Sequence, residues 1–411
     1  MNVLNIITGN LDEPGGAMFT LPAIDVIGIT SLTDQTGRYG RWNSRVRGLP
    51  EFSGELPVSV LAEEILTEGE GQIKAMATIA GNPILSTPNG AQLDKAFESL
   101  EFMVAIDIYI NETTRHANII LPPTTALETE HYDLVFHYLA LRNTAKYGAA
   151  LFEPEDATMH DWEILRELRL RLEGVDRTER APRLDVFRRL PPQKILDLGL
   201  RFGPYGNWGG RRALVGDGVT LTKLKRNPHG IDFGALTPLL PDRLATPNKR
   251  VDLAPELFIS DVPRVKATLL EHDDARANGY DLALIGRRHL RSNNSWMHNS
   301  ERLVRGKNRC TLMIHPDDAA RRNVVNGATV EVVSRVGRIE IEAEITKDIM
   351  PGVVSVPHGW GHNRRGVRLQ VAQEYAGVSV NDLTDDQRVD GLTGNAAFSG
   401  VPVMVYAMPP N

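Results

Sequence analysis

Cysteine is almost missing from this chain: one thiol, Cys310, in 411 residues. A single thiol builds no internal disulfide framework. Nor can it ligate a structural zinc or an iron–sulfur cluster from this chain alone, since those need several thiolates. No run of about 18 apolar residues occurs, so no membrane-spanning helix is expected. The stretch from Met1 to Asn10 lacks the charged start and long apolar core of a signal peptide. The expected location is therefore the cytoplasm. Excess positive charge is also absent. Lys plus Arg number 46 against 52 Asp plus Glu, a net charge of -6, unlike the basic footprint of a nucleic-acid binder. There is no phosphate-binding Walker loop, no Gly-x-Gly-x-x-Gly fingerprint and no Gly-x-Ser-x-Gly elbow. Formal glycosylation sequons at Asn111 and Asn293 carry little weight without an export signal.

What is present is an ordinary globular composition, 42% hydrophobic and 24% charged. The length implies two to three domains. Residues 1–55 are rich in Gly and Pro with no regular apolar period, and read as a long loop laid over something else. From 57 to 125 the pattern changes. Val60, Leu61, Ile65 and Leu66 fit a helix, and Ile73–Ala80 is a short apolar run ended by Gly81-Asn82-Pro83. Thr87-Pro88 reads as an N-cap with Pro at the first helical position. Leu93, Ala96, Phe97 and Leu100 then follow at helical spacing. Phe102–Asp107 and Asn118–Leu121 are further apolar runs. Buried strands alternating with helices predict a parallel sheet of βαβ units, an α/β arrangement.

A helix is expected over 158–172, with Trp162, Leu165 and Leu168 on one side. The charged stretch 173–192 reads as a boundary, and another helix is expected near Lys194–Phe202. From Tyr280 the period becomes two. Asp281–Gly286, Thr329–Val333, Arg338–Ile345, Val353–Val356 and Val401–Tyr406 read as strands, with Val336-Gly337 as a turn. Short strands with Gly and Pro between them predict a closed β-barrel.

Four segments carry candidate chemistry. Gly81, Asn82 and Pro83 follow a strand and precede a helix, the place where ligands meet parallel sheets. The alternative is a turn that merely needs Gly and Pro. Asp107 ends the next strand, suited either to a ribose or base contact or to capping the segment Asn111–His116. Gly286–Asn299 holds three Arg, two His, three Asn and two Ser, and no acid. Arg forks suit phosphate oxygens, and Asn amides pair with heterocycle edges. Gly286, Arg287, Arg288, His289, Asn293, Asn294 and Ser295 are thus candidates for a large anionic heterocyclic ligand. An exposed basic loop and a nucleic-acid contact are the alternatives. The fourth segment is Pro357–Gly366. Its His358 and His362 are four apart, but Gly359 and Gly361 disfavour the helix that a paired-His zinc site needs. A loop closing over a ligand with His358, Gly359 and Trp360 is weighed against a tight turn with a buried Trp. Asn381, in the polar turn Ser379–Thr384, is uninformative alone.

Taken in order, these segments resemble the C-terminal half of the molybdopterin oxidoreductases of the dimethyl sulfoxide reductase family. The resemblance rests on Thr8-Gly9-Asn10 with Pro14-Gly15-Gly16, then Gly81-Asn82-Pro83, then Asp107 with Glu112-Thr113 and Asn118–Pro122. Gly286-Arg287 and Asn381-Asp382 follow in the barrel region. It implies a partial Rossmann-like parallel-sheet domain over 1–180, connecting helices over 181–279 and a double-psi β-barrel domain over 280–411. It also implies a molybdenum or tungsten cofactor carried by molybdopterin guanine dinucleotide. Gly81, Asn82 and Asp107 would meet a guanosine end, the Arg287–Ser295 loop and His358–Trp360 phosphates and pterin, and Asn381 a pterin. Asn118 stands where the family usually has Asp, and Glu128-Thr129-Glu130-His131 departs from its Glu-x-x-Gly-Thr pattern. The family's cysteine cluster and metal-ligand segment have no counterpart here, so no catalytic or metal-ligating residue is assigned, and whether this chain is itself an enzyme stays open. The chain is expected to supply part of a cofactor cradle, completed by an N-terminal half or a separate iron–sulfur subunit. The alternative is a non-catalytic cofactor- or nucleotide-binding subunit.

Overall fold

The computed structural model describes residues 2–32, 37–174, 190–208, 218–270 and 279–409. Most of the charged stretch read as a boundary lies outside the described residues. Two compact units emerge, one formed by Met1–Thr36 with Pro123–Ile259 and the other by Gly37–Pro122 with Ser260–Asn411. Compactness thus groups the first sheet strands with the barrel, a partition unlike one by sequence order.

The second unit carries the predicted sheet. Strands β1 (Ala75–Ile79), β2 (Phe102–Ile106) and β3 (Ile119–Ile120) are parallel, in that order. Helices α1 (Leu61–Leu66), α2 (Pro83–Ser86) and α3 (Gly90–Glu98) accompany them. Leu93, Ala96 and Phe97 of α3 pack with Ile65, Ile84 and Met103 as one buried cluster. The cap of α3 is not Thr87 but Asn89, which takes a left-handed conformation (φ 53°) and accepts from the Gln92 amide. Asn tolerates that region, while the Thr87 hydroxyl instead donates to the Pro83 carbonyl and closes α2.

The barrel closes with six strands: β4 (Leu282–Arg287), β5 (Thr311–Ile314), β6 (Thr329–Val333), β7 (Arg338–Ile345), β8 (Val353–Pro357) and β9 (Val401–Ala407), in the order β4-β8-β5-β7-β6-β9. Pairs β4·β8 and β5·β7 are parallel. Along β7, Ile339, Ile341 and Ala343 enter the core while Glu340 and Glu342 face out, as a period of two requires. The strand β5 escapes sequence reading because its short apolar run, with Leu and Met at the centre, suits a helix as well as a strand. Cys310 is buried beside it, and burial pushes its thiol up to about 11, so it is inert at neutral pH.

The first unit is built differently. It holds helices Asn2–Ile7, Val26–Leu32, Asp161–Leu172 and Pro192–Phe202, with two antiparallel pairs, 131–132 with 147–148 and 142–145 with 231–235. Residues 1–55 are therefore not one loop. Besides the two helices they include a hairpin, Tyr39–Asn43 with Pro50–Phe52, which belongs to the second unit. None of these elements exceeds seven residues, too short to show a period. In the helix over 161–172 the buried residue is Ile164, while Leu165 is 40% exposed. Trp162 instead lies under the Arg166 guanidinium. Among the described residues no helix is long and apolar enough to cross a membrane.

Candidate functional site

Within the second unit a cleft of about 500 Å³ opens, lined from the sheet side by Gly81, Asn82, Leu85 and Ser86 and from the barrel side by Gly286, Arg288 and His358, among others. That volume is typical of a small-molecule site. Of the residues singled out from sequence, it gathers Gly81, Asn82, Gly286, Arg288, Asn294, Ser295, His358, Gly359 and Asn381. Both β1 and β4 deliver their loops from carboxyl ends, and the β4 loop meets the turn after its parallel neighbour β8.

No acid lines the cleft. Its charge is the Arg288 guanidinium, with His358 beside it. Burial, and then the Arg288 charge, hold the His358 imidazole below its usual value, so it meets a ligand neutral. A methyl at Gly286 would touch nothing, leaving backbone open to a ligand. Gly359 is required for another reason: φ is +93° and a Cβ would lie 2.1 Å from the Asn294 carbonyl oxygen, so the two loops touch backbone to backbone. Trp296, 63% exposed, and Phe398 offer flat faces at the rim. Exposed backbone, one cation, neutral donors and aromatic faces fit an anionic ligand carrying a ring system.

The remaining candidates lie outside the lining. Arg287 is turned into the barrel wall, where its guanidinium donates to the Ser355 and Thr311 carbonyls and to the Thr311 hydroxyl. A fork that stitches β4 to β8 and β5 is taken up by protein. Trp360 is 4% exposed and stacks on His298 at 4.1 Å between ring centroids. His289 Nδ1 accepts from the Arg291 amide, Asn293 holds a left-handed turn (φ 42°), and Pro83 starts α2. Asp107 accepts from the Tyr109 amide and from the Asn111 side chain. It thus organises its own turn; a short 3-10 helix does form over Thr114–His116, but its N-cap is Thr113 and not Asp107. Burial raises its carboxyl despite those hydrogen bonds.

Sequence reading overlooked Leu85, Ser86, Trp296, Phe398 and Ser399 in the lining. It also passed over a buried chain of polar side chains behind Asn82. The Asn82 amide nitrogen donates to Glu112 Oε2 (2.7 Å), and Asn82 Oδ1 accepts from Thr113 (2.7 Å). Glu112 Oε1 pairs with His362 Nδ1 (2.9 Å), His362 Nε2 with His298 Nδ1 (2.9 Å), and His298 Nε2 with the Ser292 hydroxyl (2.8 Å). Glu112 and His362 are fully buried. Burial raises the Glu112 carboxyl, but the His362 hydrogen bond and charge outweigh it and lower it overall. Asn381 is equally fixed: its amide donates to the Leu85 carbonyl and its Oδ1 accepts from Thr384.

A second set of charges, half-buried, braces the site. Asp94 of α3 pairs with Arg115, His116 and Arg364, and Arg364 pairs onward with Asp382. Burial opposes ionisation of Asp94, but the His116 hydrogen bond and the Arg364 and Arg115 charges hold it at about 2. Among the described residues no group of three His, Cys, Asp or Glu is placed to hold a metal ion.

Comparison with known proteins bears on this arrangement. Residues 1–171 match the Molybdopterin oxidoreductase family, and residues 282–402 match the Molydopterin dinucleotide binding domain. The chain is 27% identical over 309 residues to the F420-dependent formate dehydrogenase subunit alpha of Methanocaldococcus jannaschii, covering 72% of this chain and 40% of that protein. It is 26% identical over 319 residues to the assimilatory nitrate reductase catalytic subunit of Bacillus subtilis, covering 74% and 40% respectively. Acetylene hydratase from Pelobacter acetylenicus shares the fold, with a TM-score of 0.63 at 17% identity over 86% of this chain and 47% of that one. The chain thus spans about half the length, or less, of these relatives.

Proposed function

This chain belongs to the molybdopterin oxidoreductases of the dimethyl sulfoxide reductase family, and from that membership we propose that its cleft is one arm of the cradle for a molybdopterin guanine dinucleotide in a molybdenum-dependent oxidoreductase. The observation that carries the reading is the acid-free cleft built jointly by the sheet loop and the barrel loops. The bound cofactor supplies the redox chemistry; this chain binds and orients it. In this reading Arg288 and the Asn294–Ser295 backbone receive phosphate oxygens. Gly81 and Asn82 meet the guanosine end, and His358, Gly359 and Asn381 the pterin side. Arg287, Trp360 and Asp107 shape the loops without touching the ligand. The domain bounds 1–180, 181–279 and 280–411 belong to the same proposal, as do a cytoplasmic location and a completing polypeptide that bears the metal ligand.

The intact enzyme would move an oxygen atom or a hydride equivalent. A non-catalytic module is not favoured, because residues 1–171 match the oxidoreductase family itself, beside the dinucleotide-binding match over 282–402. The test is to purify the chain together with its completing polypeptide and assay bound metal and oxidised pterin fluorescence. Molybdenum or tungsten with pterin is expected; a folded complex holding neither would sink the proposal.

A further inference from the structure

The buried chain behind Asn82 is not consumed by the binding reading. It consists of Ser292, His298, His362 and Glu112, all nine-tenths or more buried, and its links of 2.8, 2.9 and 2.9 Å are unbroken. Each imidazole uses both ring nitrogens, so each proton position dictates the next. With both rings neutral, the Ser292 hydroxyl donates to His298 Nε2. His298 Nδ1–H then donates to His362 Nε2, and His362 Nδ1–H to the Glu112 carboxylate. The set then carries one negative charge in a water-excluded place, a costly state.

One added proton reverses the order. It enters at the Ser292 oxygen as the serine proton passes to His298 Nε2 and the His298 Nδ1 proton passes to His362 Nε2. His362 is then an imidazolium beside the Glu112 carboxylate, the set is neutral and every hydrogen bond is kept. Once His362 is charged, burial and then that charge hold His298 low, at about 3, despite a hydrogen bond to the Gly359 backbone, so the added charge rests on His362. Glu112 is one hydrogen bond from the cleft through Asn82. A negative charge there opposes an anion in the cleft, and a neutral set does not.

We propose that Ser292, His298, His362 and Glu112 form a buried proton relay behind Asn82, and that binding an anionic ligand in the cleft draws one proton into it. The relay rests on the cofactor reading only for the identity of that anion. Other charged or titratable groups lie nearby. His358 and Arg288 sit in the cleft itself, His289 faces His298, and Arg364 with Asp94 and Asp382 lies beyond His362 along the chain. His358 is the serious competitor for the proton, and a variant separates it.

The experiment is calorimetric titration of the full chain with guanosine diphosphate at neutral pH, in two buffers of different ionisation enthalpy, which counts protons exchanged. Uptake of one proton per bound ligand is expected, retained per ligand bound in His358→Asn however much that variant weakens binding, and lost in both Glu112→Gln and His362→Asn. By linkage, the unaltered chain binds up to about tenfold more tightly per unit fall in pH while the uptake lasts. Equal uptake in all four proteins, or uptake lost only in His358→Asn, overturns the relay. Nitrogen-15 histidine spectra of the ligand-free chain guard against a misfolded Glu112→Gln. His298 and His362 should change their protonated nitrogens together at one midpoint, and two independent titrations overturn the relay. Failure of the unaltered chain to bind guanosine diphosphate counts against the cofactor reading of the cleft, and the histidine spectra then decide the relay.

Discussion

The two compact units differ in how they satisfy their apolar residues. The sheet-and-barrel unit buries a core from Leu282 to Val405 inside a closed six-stranded barrel, beside a three-stranded sheet with its own cluster around Phe97. The other unit has a smaller core around Leu200, Leu221 and Leu224 and pairs its strands only two at a time. It leaves Leu139, Leu141 and Leu172 at 75%, 92% and 87% exposure. The candidate site lies in the closed unit. A cradle whose loops spring from a closed barrel is held by strands that cannot slide, and positioned polar groups need that support.

The largest effect that would test this contrast is in the barrel. Leu312→Ala should cost about 3 kcal/mol, since the side chain is fully buried among close-packed neighbours. Leu141→Ser in the other unit should cost less than about 0.5 kcal/mol. Equal losses in chemical denaturation would mean that Leu141 is not on an open surface.

Arg287 and Arg288 sharpen the same comparison inside the closed unit. Arg287→Ala should destabilise by about 2–3 kcal/mol, because it strips a charge-assisted donor from buried carbonyls. Arg288→Ala should leave the melting temperature nearly unchanged and weaken guanosine diphosphate binding by about tenfold or more. Thermal unfolding read beside ligand titration separates the two, and interchangeable effects would break the assignment.

Acid gives a smaller, graded test. Asp94 is held at about 2 in the fold against an ordinary value of 3.8. A depressed carboxyl contributes stability that is full above its unfolded value and lost as pH falls through the folded one. The unit should therefore lose stability between roughly pH 4 and pH 2. Asp94→Asn should flatten that slope, and an unchanged slope in acid denaturation would remove Asp94 from the account.

Much of this was readable before folding. The alternation of Ile339, Ile341 and Ala343 marked a strand, and the acid-free run from Gly286 to Asn299 supplies part of the cleft lining. Both signals are local, written within a few residues of one another. The role of each Arg in that run was not readable. Arg287 and Arg288 are chemically alike and adjacent, but Arg287 ends β4 and turns into the wall while Arg288, in the loop after it, lines the cleft. The relay was out of reach for the same reason. Its members are joined over sequence separations of 64 and 250 residues, and no spacing rule spans such distances.

Composition, period and turn chemistry were thus enough to call for a parallel sheet, a barrel and an anionic ligand, because apolar periodicity and charge act along the chain. Which polar side chains line the cleft, which brace the wall and which join the buried chain behind Asn82 depended on burial and on partners brought in from distant segments. A hydrogen bond's worth is set by the water it excludes and the group it faces, and both exist only once the chain has folded.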